Sequence, residues 1–128
     1  MLVLEFLMLQ SDVKIQIQVV DNVFVKMHFM EYSGQKIQGH AHTFDHITLL
    51  AVGSVFMRAD GKEVRYNAPH LIVTPKGIVH EFECIGMKAT LCCIHAIRDG
   101  DDVDDIAPQE ISVDTAYELM RKYPMLVK

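Results

Sequence analysis

The chain has 128 residues, 50% of them hydrophobic and 23% charged, with a formal net charge of −5. That length suits one domain with a buried core, and the balance is that of a globular chain rather than a disordered one. The acidic run Asp99-Gly100-Asp101-Asp102-Val103-Asp104-Asp105 has no compensating lysine or arginine cluster, which argues against nucleic-acid binding.

Residues 1–9 are apolar apart from Glu5, with no basic residue before them. The stretch is too short to cross a bilayer and lacks the pattern of a secretory signal, so no membrane association is expected. It reads instead as an arm, residues 1–12, that pairs with a sheet edge or a second subunit; Met8 offers an alternative start. Residues 13–19 alternate apolar and polar side chains, the mark of a strand with one wet face. Asp21-Asn22 turns the chain into a second strand over 23–30, where His28 reads as a sheet residue, and Ser33-Gly34 turns it again.

Strands are predicted over 47–52 and 54–59 around Gly53, where a missing side chain permits a bend or bulge. Asp60-Gly61 is a strong hairpin signal joining 55–58 to 63–66. Residues 70–74 form the next strand, Pro75-Lys76-Gly77 is a turn that delivers His80 to the start of another, and 88–98 completes the set. The acidic run that follows lacks EF-hand spacing and reads as a solvated loop. Ser112 or Asp114 can cap a helix over 112–123, with Glu118 and Lys122 paired four apart and Pro124 ending it. Many short strands without intervening helices predict an all-β, antiparallel sandwich or barrel with a short C-terminal helix.

The chemistry lies in four histidines. His40, His42 and His46 fall within seven residues, and His80 follows the Pro75-Lys76-Gly77 turn. Converging neutral imidazoles bind a divalent transition metal: iron, manganese, nickel, zinc or copper. An extended 40–42 segment would point His40 and His42 the same way, and His46 shares their parity, although a bend at 43–45 can redirect it. Four neutral ligands leave the ion its full charge, so it would be a strong Lewis acid attracting anionic, chelating oxygens. Octahedral coordination leaves two positions open, whereas a closed tetrahedral zinc would be structural. No nucleophile elbow, glycine-rich phosphate loop or HExxH helix competes. Cys92 and Cys93 are adjacent and Cys84 stands alone, which makes no disulfide framework and fits buried thiols in a reducing, cytoplasmic setting.

Gly34, His40, His42, His46 and Gly53 resemble the first signature of the cupin superfamily, and Pro75, Gly77 and His80 resemble the core of the second. With the spacer 54–68 between them, the two cover residues 34–84. Three positions depart from the pattern: His46 stands where glutamate is usual, Pro69 where glycine opens the second signature, and Cys84 where asparagine closes it. Histidine at position 46 resembles small bacterial cupins with an all-histidine metal centre. The resemblance implies one cupin domain over 1–128, a jelly-roll barrel, and a metal held inside it by His40, His42, His46 and His80.

Around such a centre Asp45, Tyr66, Arg58 and Glu81 are candidates to orient the imidazoles, and Phe82, Cys84, Cys93 and His95 to line the pocket. Strand parity from His80 sends Phe82 and Cys84 inward. Arg58 or Arg65 can hold an anionic substrate, and His70 or His95 can serve as acid or base. The expected function is a metal-dependent oxidoreductase of the dioxygenase kind acting on a small enolic or carbonyl compound. Metal-assisted isomerase or lyase chemistry on a sugar or keto acid, and a non-enzymatic small-molecule binding or sensing module, are the alternatives. The apolar arm and an exposed sheet face together predict a homodimer.

Overall fold

The structure is a computed structural model that describes residues 13–39 and 41–101. Seven strands follow one another: β1 (Lys14–Val20), β2 (Val23–Met30), β3 (Lys36–Gln38), β4 (His46–Ala59), β5 (Lys62–Asn67), β6 (His70–Thr74) and β7 (His80–Ala96). All pairings are antiparallel. The all-β expectation therefore holds for the described residues, while the arm over 1–12 and the helix over 112–123 lie outside them. Among the described residues no helix is long and apolar enough to cross a membrane.

Two long strands organise the barrel. The first half of β4 pairs with β6 and with the second half of β7, which in turn pairs with β2 and, through it, β1. The second half of β4 pairs with β5 and with the first half of β7, which also carries β3. Thus β4 and β7 each serve two sheets and form the corner between them.

The bend in β4 has a local cause. Register against β7 shifts between Leu50 and Val52 and again between Val52 and Ser54. Gly53 sits there at φ +84, and a Cβ on it would collide with the Lys88 carbonyl oxygen. Two strands had been expected around Gly53; the chain instead runs through it as one 14-residue strand with a bulge. Likewise, the strand expected to start at His80 and the one expected over 88–98 are a single 17-residue strand, His80–Ala96. The three-residue β3 carried no sequence signal strong enough to be foreseen.

Alternation fills the interior. Met30, Leu50, Val55, Met57, Ile72, Phe82, Cys84, Ala89 and Leu91 form one buried cluster. Leu50 and Leu91 face each other across β4 and β7, each less than 2% exposed. Full burial of each such side chain contributes about 1.5–3 kcal/mol. The hairpin expected at Asp60-Gly61 is present, with both residues at positive φ.

Candidate metal centre

His46 opens β4 and His80 opens β7, and both point into the barrel at 8% and 5% exposure. His42 arrives differently. Residues 41–45 lie outside any strand, and the bend allowed for at 43–45 falls at Thr43 and Phe44. Two backbone donors tie that loop to the turn before β7: Gly77 N–H donates to the His42 carbonyl at 2.9 Å, and Lys76 N–H donates to the Asp45 carboxylate at 3.0 Å. Asp45 therefore fastens two loops together rather than orienting an imidazole.

The result is a gathering of rings. Centroids of His42 and His46 are 4.8 Å apart, of His46 and His80 5.6 Å, and of His42 and His80 6.2 Å. Imidazoles sharing an ion at about 2.1 Å would have centroids roughly 4.5–6 Å apart, a range that holds the His42–His46 and His46–His80 pairs and that the His42–His80 pair slightly exceeds. Among the described residues no three His, Cys, Asp or Glu side chains already converge their donor atoms on one point. His80 Nδ1 lies 3.4 Å from the Ile78 carbonyl, and its Nε2 rests against Gly39, where a Cβ would come within 2.7 Å. His40, the fourth expected ligand, lies outside the described residues; its neighbour Gly39 donates its N–H to the His80 carbonyl at 2.8 Å.

Electrostatics keep His46 a base. Burial, and then the nearby His42, His80, His95 and His28 rings, lower its pKa from 6.5 to about 3, so the imidazole stays neutral with a lone pair to offer. Its Nδ1 is buried without a hydrogen-bond partner, and so is the hydroxyl of Thr74, the residue paired with it across β4 and β6. Two adjacent orphaned polar atoms in a protein interior mark a place where a further group is needed. By donor chemistry and ring spacing, the residues present suit a divalent metal.

The surroundings are partly as expected. Phe82 and Cys84 point inward, as parity from His80 requires, and Phe82 meets the His80 ring edge-on at 5.6 Å. Cys93 faces inward beside Thr48, its sulfur 3.6 Å from the hydroxyl, and burial pushes its thiol up to about 11. It is thus a packing group and not a nucleophile. All three cysteines are free. His95 stands across from His46, in the register that sets Ile94 against Ile47, and its Nε2 is 2.9 Å from the Asp101 carboxylate.

Other expectations are overturned. Arg58 and Glu81 lie on the outer face, where Arg58 contacts Glu63 at 2.9 Å, Glu83 at 2.9 Å and Glu81 at 3.5 Å. They cannot orient imidazoles inside the barrel, and Arg58 is already engaged with carboxylates. Arg65 shares that outer face and donates to Asn67 at 3.3 Å. His70 and Tyr66 pack on each other at 4.8 Å, with His70 at the end of β6 opposite Thr74, roughly 13 Å along the strand from the histidine cluster.

Phe44, His28 and Asp101 also contribute. Phe44, 8% exposed, stacks on His42 at 4.9 Å and on His95 at 3.9 Å; an apolar ring inside a polar, histidine-bearing loop was its sequence signal. His28 lies on the inner face of β2, as parity with Phe24 and Met30 could have told. Asp101 gave no signal, since one aspartate in an acidic run looks like the others.

No family model and no curated protein sequence matches the chain. Solved structures do. A cupin superfamily protein from Desulfitobacterium hafniense is similar at 14% identity and TM-score 0.58, over 67% of this chain and 78% of its own. A cupin-like protein from Thermotoga maritima is similar at 20% identity and TM-score 0.57, over 66% and 68%. A conserved protein of unknown function from Streptococcus pyogenes reaches TM-score 0.60 at 17% identity, over 71% and 79%. Identities this low speak to architecture and not to activity, and on that ground the chain has the cupin fold.

Proposed function

We propose that the chain is a metal-dependent cupin enzyme, an oxidoreductase of the dioxygenase kind acting on a small enolic or carbonyl compound. His40, His42, His46 and His80 hold one divalent ion, iron or manganese, at the histidine end of the barrel. The observation that carries this reading is the gathering of His42, His46 and His80 around a buried, neutral imidazole whose Nδ1 lacks a partner. When bound, the ion supplies Lewis acidity and open positions for a substrate oxygen and dioxygen.

The rest is done by side chains. Phe44 and Phe82 shield the cluster from water on two sides. The Asp101 carboxylate can only accept, so in the neutral tautomer His95 carries its proton at Nε2. That leaves Nδ1 as the nitrogen able to take a proton from a bound enol.

Elemental analysis of the full chain, as isolated and after chelation and reloading with Fe(II) or Mn(II), tests the centre. Stoichiometric metal is expected, and its loss in His46→Gln. Oxygen uptake by the loaded protein with a panel of diketones, enols and 2-oxo acids tests the reaction. No metal beyond that retained by a triple alanine variant of His42, His46 and His80 would defeat the centre. Metal without oxygen uptake would defeat only the dioxygenase form, and turnover without oxygen would point to isomerase or lyase chemistry.

A further inference from the structure

Strand β2 sends Phe24, His28 and Met30 into the barrel, all of them buried, and alternation puts Lys26 on the same side. Lys26 is half-buried, and register fixes its place. Ile17 of β1 stands opposite it on one flank and Cys93 of β7 on the other, with Thr48 of β4 next along the row. Two residues further along their strands, His46 and His95 form the neighbouring inner row. Burial pushes the Cys93 thiol up to about 11, while the Thr48 hydrogen bond and the positive charge of Lys26 act against that rise, so the ammonium stands close to the interior. Among the described residues no other lysine or arginine is placed in this way: the rest are exposed, apart from Arg58 on the outer face.

We propose that Lys26 determines which substrate the histidine centre accepts, its ammonium binding a carboxylate at the far end of a molecule whose enolic or dicarbonyl end faces the histidines. The inference rests on the metal-dependent reading above and narrows its substrates to enolic or dicarbonyl acids. Reach supports it. His46 and Lys26 lie on the strands that flank β7, two strand spacings and one inner row apart, which puts their backbones roughly 12 Å from each other along the sheet. A lysine stem of about 6 Å covers half of that and leaves room for a chelating group with two or three carbons behind it. Charge supports it too. Neutral imidazoles leave a divalent ion its full charge, so ion and ammonium together favour a ligand with two negative charges, an enolate at one end and a carboxylate at the other. Ile17 beside the stem and buried Phe24 before it keep the surroundings apolar, where a charge-assisted hydrogen bond gains strength.

Titration calorimetry on the Mn(II)-loaded full chain tests this with succinylacetone, a diketone bearing a carboxylate two carbons from its carbonyls, and with its neutral primary amide. The wild type is expected to bind the acid at least ~10-fold more tightly than the amide, the share of one hydrogen bond between charged groups. Lys26→Met keeps the stem and removes the charge; it is expected to lose most of that preference while metal stoichiometry and affinity for the amide stay unchanged. Lys26→Arg should retain the preference, and Lys26→Gln gives the same comparison should the methionine variant misfold. A wild type without preference, a folded methionine variant that keeps it, or one that loses affinity for both probes alike overturns the proposal. Metal analysis of the same samples separates this outcome from a failure of the centre. A wild type that holds no metal defeats the centre, and the acid-over-amide preference of the metal-free chain then decides Lys26.

Discussion

At one end of the barrel interior Leu50, Ile72 and Leu91 pack into one apolar cluster. At the other, a few residues along the same β4, β6 and β7, His46, Thr74 and His80 are equally enclosed, yet polar atoms of His46 and Thr74 go unsatisfied. The first arrangement stores stability and the second spends it, since a buried polar group without a partner costs about 1–3 kcal/mol. One pair of strands thus provides both the free energy and the place where it is used. Substitutions at the two ends should separate stability from metal affinity.

Gly53 holds the ends together, and its replacement has the largest expected effect. Gly53→Ala puts a methyl group against the Lys88 carbonyl at a positive φ, and a loss exceeding about 4 kcal/mol is expected in urea unfolding. Leu50→Ala, at the apolar end, should cost about 3–5 kcal/mol while leaving metal stoichiometry in the folded fraction unchanged.

The histidine end should announce itself in acid. For His46 the folded pKa of about 3 lies below the unfolded 6.5, so the folded form binds fewer protons between those values. Its stability is full above about 6.5 and falls as pH drops toward about 3. In chelator-treated protein a decline of about 2–3 kcal/mol between pH 7 and pH 4 is expected from this group, and His46→Leu should flatten that part of the curve. An unchanged acid limb would mean that the ring is not held neutral by burial.

Smaller effects sharpen the contrast. Gly39→Ala displaces the His80 ring, and a loss of about tenfold in metal affinity with little change in urea midpoint is expected by titration calorimetry. Thr74→Val removes an orphaned hydroxyl and should raise stability by up to about 1 kcal/mol in the metal-free protein.

Features decided by local chemistry were legible in the sequence. The Asp60-Gly61 hairpin, the strand at 70–74 and the inward parity of Phe82 and Cys84 depend on neighbours two or three residues away, and all stand in the structure. Gly53 was legible as a special position but not as a continuation, because a glycine that ends a strand and one that bulges it look alike until Lys88 is seen against it. Arg58 and Glu81 were misplaced by proximity to key residues. Parity could have corrected Glu81, since the neighbour of an inward His80 in a strand must point out. Phe44 and Asp101 join the site through contacts with His95, fifty-one and six residues away in sequence, which no local pattern encodes.

The column of His42, Phe44 and His95 has a mechanical implication. Each successive pair of planes is inclined by 25°, and the last ring is pinned by a carboxylate. A single imidazole swivels freely, but one clamped in such a pile cannot turn without displacing the ring above it. The Asp101 carboxylate, by fixing His95, thus restrains a column that ends at His42, with the rings of His95 and Phe44 between them.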